Sequence, residues 1–429
     1  MKKRKETKGR SVEPIICIDL FDDQQKKKKK MAVAGLCDDL IVEIFTRLPP
    51  KSLVRFKSLN KWWCRRICSP DFIRRHTLVC SPQKSFLFMH ELFQPGESKT
   101  LYTIHSEDGL PLIVKKTDGI PIRISFKFPY PESAQIIASC NGILCISERG
   151  NNTPIITQNN TTPLISLWNP SIRHKLTLPP LPSTQSWFVC NGVAAGFGFG
   201  FDPKSDDYKI IWIDTFGSGK RPKSAFVYAL KTGAWCEIAY PASPFTRFWS
   251  RGCFLNGALH WLVDFHIPTT KVKKRYVMTL DLSTHVFGTI ALPEPNCAAR
   301  LLTTIKGSLA VISGEPKKRW ICWVRGKNHT DNTNAFWYVV YKTKTDPFSD
   351  IAKVFELTTN DGNFLLGTHY ACHQVYNFET GVSSGLQRLS ARCATVDIEQ
   401  CVETLELLDR GTAYVENQPS QWRKREIQI

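Results

Sequence analysis

The sequence lacks the features that would place it in a membrane or an oxidising compartment. No apolar run is long enough to span a bilayer, and the lysine-rich amino terminus is not followed by the apolar segment of a secretory signal. Its 15 cysteines are dispersed, and none forms a C-x-x-C pair. We therefore expect free thiols in a reducing compartment, the nucleus or the cytoplasm or both, and no membrane partner.

Common signatures of catalysis and cofactor binding are also missing. No phosphate-loop lysine follows the glycines of Gly196–Gly200, and alternating Phe and Gly in that segment favour a close-packed strand. The ten histidines are scattered, and their closest grouping, His369, Cys372 and His373, lacks the paired spacing of a zinc site. We expect no catalytic residue, no cofactor and no metal, and hence a binding protein rather than an enzyme.

Positive charge is densest at the amino terminus. The chain carries 57 Lys and Arg against 38 Asp and Glu, and residues 1–30 hold eleven of the basic and five of the acidic residues. The runs Lys2–Lys5 and Lys26–Lys30 predict a solvated tail over residues 1–33, either passive or serving as a nuclear import signal. Translation from Met31 would remove this tail. Residues 411–429 are predicted to form a second, polar tail.

Residues 36–80 place apolar side chains at helical spacing. Leu40, Ile44 and Leu48 predict one amphipathic helix, with Asp38-Asp39 in its first turn and two prolines as its stop. A second helix is expected to begin near a capping serine, Ser52, and a third at Ser69-Pro70. About 45 residues rarely bury enough apolar surface to be stable alone, so the rest of the chain or a partner must complete this core.

The same residues resemble an F-box. The motif positions run in order without gaps: Leu36, Leu40, Ile44, Leu48-Pro49, Lys51–Leu53, Arg55–Ser58, Lys61, Trp63, Ile67, Ser69-Pro70 and Phe72. Cys37, Asn60 and Arg66 depart from the pattern. The resemblance implies a three-helix domain over residues 34–80 that binds a Skp-type adaptor and, through it, a cullin. The residues that would line this interface are Leu36, Leu40, Ile44, Leu48, Pro49, Leu53, Phe56, Trp63 and Ile67.

Residues 83–410 change to short apolar runs separated by turn residues, which predicts an all-β domain. One type of turn is a tight glycine hairpin at Asn141-Gly142, Asn256-Gly257 and Lys306-Gly307, typical of type I′. A second type ends a strand at a polar or small residue: Asn169, Asp202, Ala229, Asp281 and Asn377. Asn256 to Lys306 and Ala229 to Asp281 each span about fifty residues, the period of a kelch-like blade of four strands. The 33-residue step from Asn169 to Asp202 breaks this rhythm, so a β-sandwich remains the alternative to an irregular propeller.

These turns also resemble the plant F-box-associated domain. The resemblance rests on Ser139–Cys145, Leu167–Arg173, Gly198–Asp202 and Asn256–Leu262, and weakens beyond residue 293 at the polar insert Arg325–Asn334. It implies a non-catalytic receptor in a ubiquitin ligase, whose β-domain binds a target protein that the sequence does not identify. Trp187, Phe248 and Trp249 are candidate substrate anchors. The alternative is a nucleic-acid or chromatin-associated binder that uses the basic charge.

Overall fold

The computed structural model describes residues 37–80, 84–94, 97–107, 126–127, 134–148, 164–180, 196–213, 224–241, 245–266, 273–294, 297–314, 319–326, 336–343, 351–357, 362–368, 374–385 and 393–408. The chain divides into two units, residues 1–45 and 46–429. The described part of the first unit contains one helix, and the second contains three helices and all the strands. No helix in these ranges is long and apolar enough to cross a membrane.

Four short helices stand where three were expected: α1 (Asp38–Phe45), α2 (Pro50–Phe56), α3 (Lys61–Ile67) and α4 (Pro70–Val79). The expected second helix is divided because Asn60 is extended and its side chain accepts a hydrogen bond from the backbone of Trp63 at 2.9 Å, which starts α3 afresh. Ser52 lies within α2, which begins after Pro49 without a side-chain cap. Ser69 caps α4 by accepting from the amide of Phe72.

The described residues contain 25 strands in six sheets, which we call blades 1 to 6. Blade 1 contains β1 (Ser85–Gln94), β2 (Glu97–Ser106), β3 (Phe126–Lys127) and β25 (Cys393–Cys401). Blade 2 contains β4 (Gln135–Cys140), β5 (Ile143–Glu148), β6 (Leu164–Asn169) and β7 (His174–Thr177). Blade 3 contains β8 (Phe197–Asp202), β9 (Asp207–Ile213), β10 (Ala225–Ala229) and β11 (Ala234–Ile238).

Blade 4 contains β12 (Phe245–Phe248), β13 (Cys253–Leu255), β14 (Ala258–His266), β15 (Lys273–Asp281) and β16 (Phe287–Ile290). Blade 5 contains β17 (Ala299–Ile305), β18 (Ser308–Gly314), β19 (Trp320–Gly326) and β20 (Phe336–Lys342). Blade 6 contains β21 (Ile351–Glu356), β22 (Asn363–Thr368), β23 (Gln374–Asn377) and β24 (Ser383–Gly385). In blade 4, β12 and β13 both pair with β14 and act as one interrupted first strand.

Blades 2 to 6 are antiparallel meanders of strands consecutive in the chain, whereas blade 1 is completed from the far end of the sequence. Its strand order is β25-β1-β2-β3, and β25 pairs antiparallel with β1, as in Phe86 opposite Gln400. The last strand therefore occupies in blade 1 the place that the first strand of every other blade occupies. This pairing closes the ring and hides the edges that an open array would expose.

The distribution of the core decides between propeller and sandwich. Separate apolar clusters lie between each pair of neighbouring blades, including the pair formed by blades 6 and 1. The last of these places Phe86 and Ile398 of blade 1 with Leu365 of blade 6. A sandwich has one core between two sheets. Six sheets with six interfaces make a six-bladed β-propeller, which confirms the propeller and rejects the sandwich.

The expected type I′ turns are present. Asn141 and Gly142 have φ of 48° and 78°, and both central residues are also positive at Asn256-Gly257 and Lys306-Gly307. Each joins the first and second strands of a blade. The predicted close-packed strand is also confirmed: it is β8, where a Cβ on Gly198 would lie 2.6 Å from a methyl of Leu259 in blade 4.

The second type of turn explains the irregular 33-residue step. Asn169 ends β6 and joins the third and fourth strands of blade 2, whereas Asp202 ends β8 and joins the first and second strands of blade 3. Both side chains accept a hydrogen bond from the amide two residues on. The two turns are chemically alike but occupy different places in the repeat, so their spacing is not a blade length.

Candidate protein-binding surfaces

Helix α1 presents an apolar face to solvent. Leu40 and Ile44, one turn apart, are 51% and 46% exposed, while Val42 is buried. Asp38 and Asp39 lie in the first turn, where carboxylates are stabilised by the helix dipole. Large aliphatic side chains on one exposed helix face are the kind of surface that a partner helix or groove covers.

Helices α2 to α4 bury the other part of the predicted stripes. Leu53 and Ile67 are fully buried, as are Phe72 and His76. The His76 ring donates from Nε2 to the carbonyl of Leu48 at 2.9 Å, and burial lowers the pKa of this histidine, so it is held neutral. Leu53 and Ile67 were predicted to contact an adaptor, but they belong to the core of the helices. Helical spacing identifies an apolar stripe and does not show whether the rest of the chain or a partner covers it.

The remaining predicted interface residues are more accessible. Leu48, Phe56 and Trp63 are half-buried and Pro49 is exposed, while Leu36 lies outside the described residues. Arg66, one of the three departures from the F-box pattern, is exposed, so its charge disturbs no packing.

The helices expose further apolar side chains that the sequence did not single out. Trp62 is 49% exposed and meets Trp63 edge to face, with ring centroids 4.5 Å apart. Of the twelve large apolar side chains exposed in the described residues, six lie between residues 37 and 80: Leu40, Ile44, Leu59, Trp62, Leu78 and Val79. The sequence signal for Trp62 was its place beside Trp63, because adjacent helical residues point in directions about 100° apart and one of the two is often more exposed.

Basic residues dominate the charge of residues 46–80. Residues 46–80 contain nine Lys and Arg and one acid, Asp71. Most of these basic side chains are exposed, and Arg74 of α4 reaches Asp206, in the turn after β8, at 3.7 Å. Exposed apolar and basic side chains on the same helices are complementary to a partner that offers apolar and acidic side chains.

Two of the three residues predicted to anchor a substrate are described, and they differ in burial. Phe248 is 3% exposed and packs in the core between blades 3 and 4, so it is not an anchor. Trp249, the next residue, is 36% exposed. Trp187 lies outside the described residues. Alternation along a strand sends these neighbouring aromatic side chains to opposite sides.

Charged groups meet between the first strands of three blades, β4, β21 and β25, which we call the innermost strands. Lys353 of β21 donates to Asp397 and Glu399 of β25 at 2.8 and 2.7 Å, and Ser139 of β4 donates to Glu399. Burial would raise the pKa of Asp397, but Lys353 and Arg251 outweigh it and hold that pKa below its usual value. This network joins blade 6 and blade 2 to the closing strand.

Metal ligands and thiols in the described residues bear on chemistry other than binding. No group of three or more His, Cys, Asp and Glu in these ranges could hold a metal ion, and the His369 to His373 grouping lies outside them. Burial raises the pKa of the Cys322 thiol to about 12, which suppresses its reactivity.

The segment Gly381–Gly385 has G-x-S-x-G spacing, which is typical of hydrolase nucleophile turns. Ser383, however, begins an edge strand after a β-hairpin turn rather than a strand-to-helix elbow. The structural context therefore does not support a nucleophile there.

Comparison with known families adds to this geometry. Residues 92–382 match the model of the F-box associated beta propeller domain. The chain belongs to that family. Residues 34–75 match the F-box domain model, so it is a plant-type F-box protein with an F-box-associated propeller.

Its relatives in Arabidopsis thaliana carry the same designation. Putative F-box protein At3g16210 is 28% identical over 268 residues, which cover 61% of each chain. F-box protein At5g10340 is 25% identical over 382 residues, 84% of this chain and 82% of that protein. The chain thus spans about 61% of the length of the former relative, and most of the latter.

Solved structures are more distant. A protein from Lactobacillus plantarum aligns with a TM-score of 0.37 at 9% identity, over 74% of this chain and 99% of that one. The tricorn protease aligns with a TM-score of 0.34 at 10% identity, over 71% of this chain and 31% of that one. Scores this low carry no argument about this chain.

Proposed function

We propose that this protein is the substrate receptor of a Skp–cullin–F-box ubiquitin ligase. Its helices bind a Skp-type adaptor, and its propeller binds the protein to be ubiquitinated. The observation that supports this most directly is the exposed apolar surface on the helices that match the F-box model. Such a receptor needs no catalytic residue, because it accelerates transfer by holding the target near a conjugating enzyme.

The adaptor interface is centred on side chains that are exposed in the structure. On α1, Leu40 and Ile44 supply aliphatic anchors of the kind that carry most binding energy at interfaces. On α3, Trp62 supplies an exposed aromatic side chain of the same kind. Leu53 and Ile67 contribute by shaping the helices rather than by contact.

The test is binding of the purified full chain to a plant Skp-type adaptor by calorimetry. Leu40→Asp combined with Ile44→Asp is expected to weaken binding at least about a hundredfold, because two anchors become charged in a desolvated interface. Both side chains are half-exposed, so the fold should survive. Val382→Asp, which charges an equally exposed side chain in a propeller turn, is the matched control and should bind normally. Undiminished binding of the double variant would refute the interface.

The basic helices favour one competing function, nucleic-acid binding, since residues 46–80 carry nine basic residues and one acid. A filter-binding series across salt concentration separates the two. Phosphate-driven binding must weaken steeply as salt rises, whereas an interface with an apolar centre weakens little. Tight, salt-sensitive binding of nucleic acid without adaptor binding would favour this alternative.

A further inference from the structure

We propose that Arg247 and Trp249, at one end of blade 4, bind an acidic, carboxylate-bearing segment of the target protein. This inference rests on the proposed receptor function and specifies the substrate class that the propeller would take. It concerns the end of the blade opposite the Asn256-Gly257 turn, since β12 pairs with the carboxyl-terminal part of β14.

The site is a row of charges across three strands. Arg247 of β12 lies opposite Asp264 of β14, which in turn lies opposite Arg275 of β15. Two cations thus flank one carboxylate on the same level of the sheet. The Trp249 ring lies over this row, with the guanidinium carbons of Arg247 and Arg275 at 4.4 and 4.0 Å from its centroid.

Asp264, the carboxylate of the row, already accepts hydrogen bonds from Arg275 and Trp249. Arg275 donates from Nε to Oδ1 of Asp264 at 2.8 Å, and Trp249 donates from Nε1 to Oδ2 at 2.5 Å. Arg275 also donates to the carbonyl of Ala299 in blade 5. These bonds fix the ring and leave one positive charge of the row uncompensated.

Arg247 carries that uncompensated charge. It is exposed, it stacks on Trp249, and no acceptor among the described residues forms a hydrogen bond or ion pair with its guanidinium. The contrast is the network between the innermost strands, where Arg251 and Lys353 are balanced by Asp397 and Glu399. A stacked, oriented guanidinium with its fork of donors unused matches the geometry of a carboxylate.

The charge of the site favours a carboxylate over a phosphate. One surplus guanidinium neutralises one carboxylate, whereas phosphate and phosphodiester recognition generally uses clusters of basic groups. The exposed part of the Trp249 ring adds apolar contact, and Trp with Arg is the pairing most often found at energetic centres of interfaces. An extended segment containing Asp or Glu is the occupant that satisfies both.

The test uses the full chain and a fluorescent peptide of alternating Glu and Ser, with binding followed by fluorescence polarisation. We expect the Glu peptide to bind, and a matching Gln peptide to bind at least about tenfold more weakly, as for one lost charge-assisted hydrogen bond. Arg247→Gln should weaken the Glu peptide by a similar factor, and Trp249→Ala should weaken it as well.

Lys274→Gln is the matched control. Lys274 is exposed and precedes Arg275 on the same strand, so it projects from the opposite face of the sheet. Equal losses for Lys274→Gln and Arg247→Gln would overturn the proposal, because generic charge would then explain binding. So would equal binding of the Glu and Gln peptides.

Two further outcomes would also overturn it. One is tighter, Arg247-dependent binding of a peptide in which phosphoserine replaces Glu. The other is displacement of the Glu peptide by lower concentrations of single-stranded DNA. Adaptor binding is measured on the wild-type chain and the same variants. Failure of the wild-type chain to bind the adaptor would refute the receptor function, whereas failure to bind the Glu peptide would refute only this site.

Discussion

The helices and the propeller treat apolar and charged side chains in opposite ways. Residues 37–80 expose six large apolar side chains, as many as the described part of the propeller, which has about five times as many residues. The propeller packs many of its aromatic residues between blades, with Trp168 and Trp261 almost fully buried, although Trp249, Phe336 and Tyr338 are exposed. The helices are thus a surface shaped for contact, and the propeller is a scaffold complete in itself.

Charge follows the same division. Two lysines of the propeller are largely buried and paired: Lys209 meets Asp202 at 2.8 Å, and Lys353 meets two carboxylates. Residues 46–80 instead carry nine basic side chains with one acid, most of them in water. Changes of the same chemical kind should therefore lower stability in the propeller and alter binding in the helices.

A tryptophan substitution should show the largest difference. Trp261→Ala removes a fully buried ring whose Nε1 donates to the carbonyl of Phe197 at 2.8 Å, and should lower the free energy of unfolding by about 4 kcal/mol. Trp62→Ala removes a half-exposed ring and should lower it by about 1 kcal/mol or less, while weakening adaptor binding. Urea unfolding followed by circular dichroism measures both; similar values would abolish the distinction.

Two lysine substitutions test whether ion pairs of the propeller stabilise it in proportion to their burial. Lys353→Ala removes the cation that pairs directly with Asp397 and Glu399, where little water reaches, and should lower the free energy of unfolding by about 3 kcal/mol. Lys231→Ala removes an exposed partner of Asp206 at 3.7 Å and should change it by less than about 1 kcal/mol. Thermal unfolding of the two variants side by side is the measurement, and a larger effect at Lys231 would contradict it.

Glycine substitutions test whether turns of one type differ by their surroundings. Gly142 and Gly307 both have positive φ, but a Cβ at Gly142 would lie 2.3 Å from the carbonyl oxygen of Val402, and nothing lies within 4 Å at Gly307. Gly307→Ala should cost about 1 kcal/mol of strain, and Gly142→Ala about 3 because the segment after β25 must shift as well. Urea unfolding measures both variants. Equal decreases in the free energy of unfolding would mean that the segment after β25 shifts at no energetic cost.

The smallest expected effect is a pH dependence confined to α4. His76 is buried beside Cys80, 3.5 Å away, with Glu403 contributing a weaker attraction, and burial lowers its pKa. The unfolded segment binds a proton near pH 6.5 and the folded one does not, so stability is complete above that pH and falls as the pH drops toward the lowered value.

Hydrogen exchange of residues 70–80 between pH 7.5 and 5.5 measures this effect. Protection in the wild-type chain should decline over that interval relative to the intrinsic exchange rates, and His76→Gln should remove the decline. A decline that persists in His76→Gln would assign the pH dependence to another group.

Features governed by neighbouring residues were predictable from the sequence. The stop of α1 before Pro49-Pro50, the cap at Ser69 and the three type I′ turns follow from proline geometry, side-chain capping and positive φ, all of which act within about four residues. The fifty-residue spacing of equivalent turns likewise indicated blades of four strands.

The break at Asn60 shows the limit of local patterns. The apolar stripe continues from α2 into α3, so periodicity predicted one helix, but a capping side chain started a new one. The exposure of Trp62 beside half-buried Trp63 could not be predicted for a similar reason. Periodicity identifies an apolar stripe without showing which of its edges is covered.

Amino-acid patterns alone indicated an F-box-like helical segment, a chain of short strands with a blade-length repeat, and the turn chemistry that joins them. The three-dimensional fold was needed to show that there are six blades, that β25 completes the blade begun by β1, and that Lys353 pairs with two carboxylates while Arg247 forms no ion pair within the described residues. The physical reason is distance along the chain. Turn and cap energies depend on adjacent residues, whereas closure of the ring pairs residues about three hundred positions apart and Lys353 pairs with carboxylates more than forty positions away.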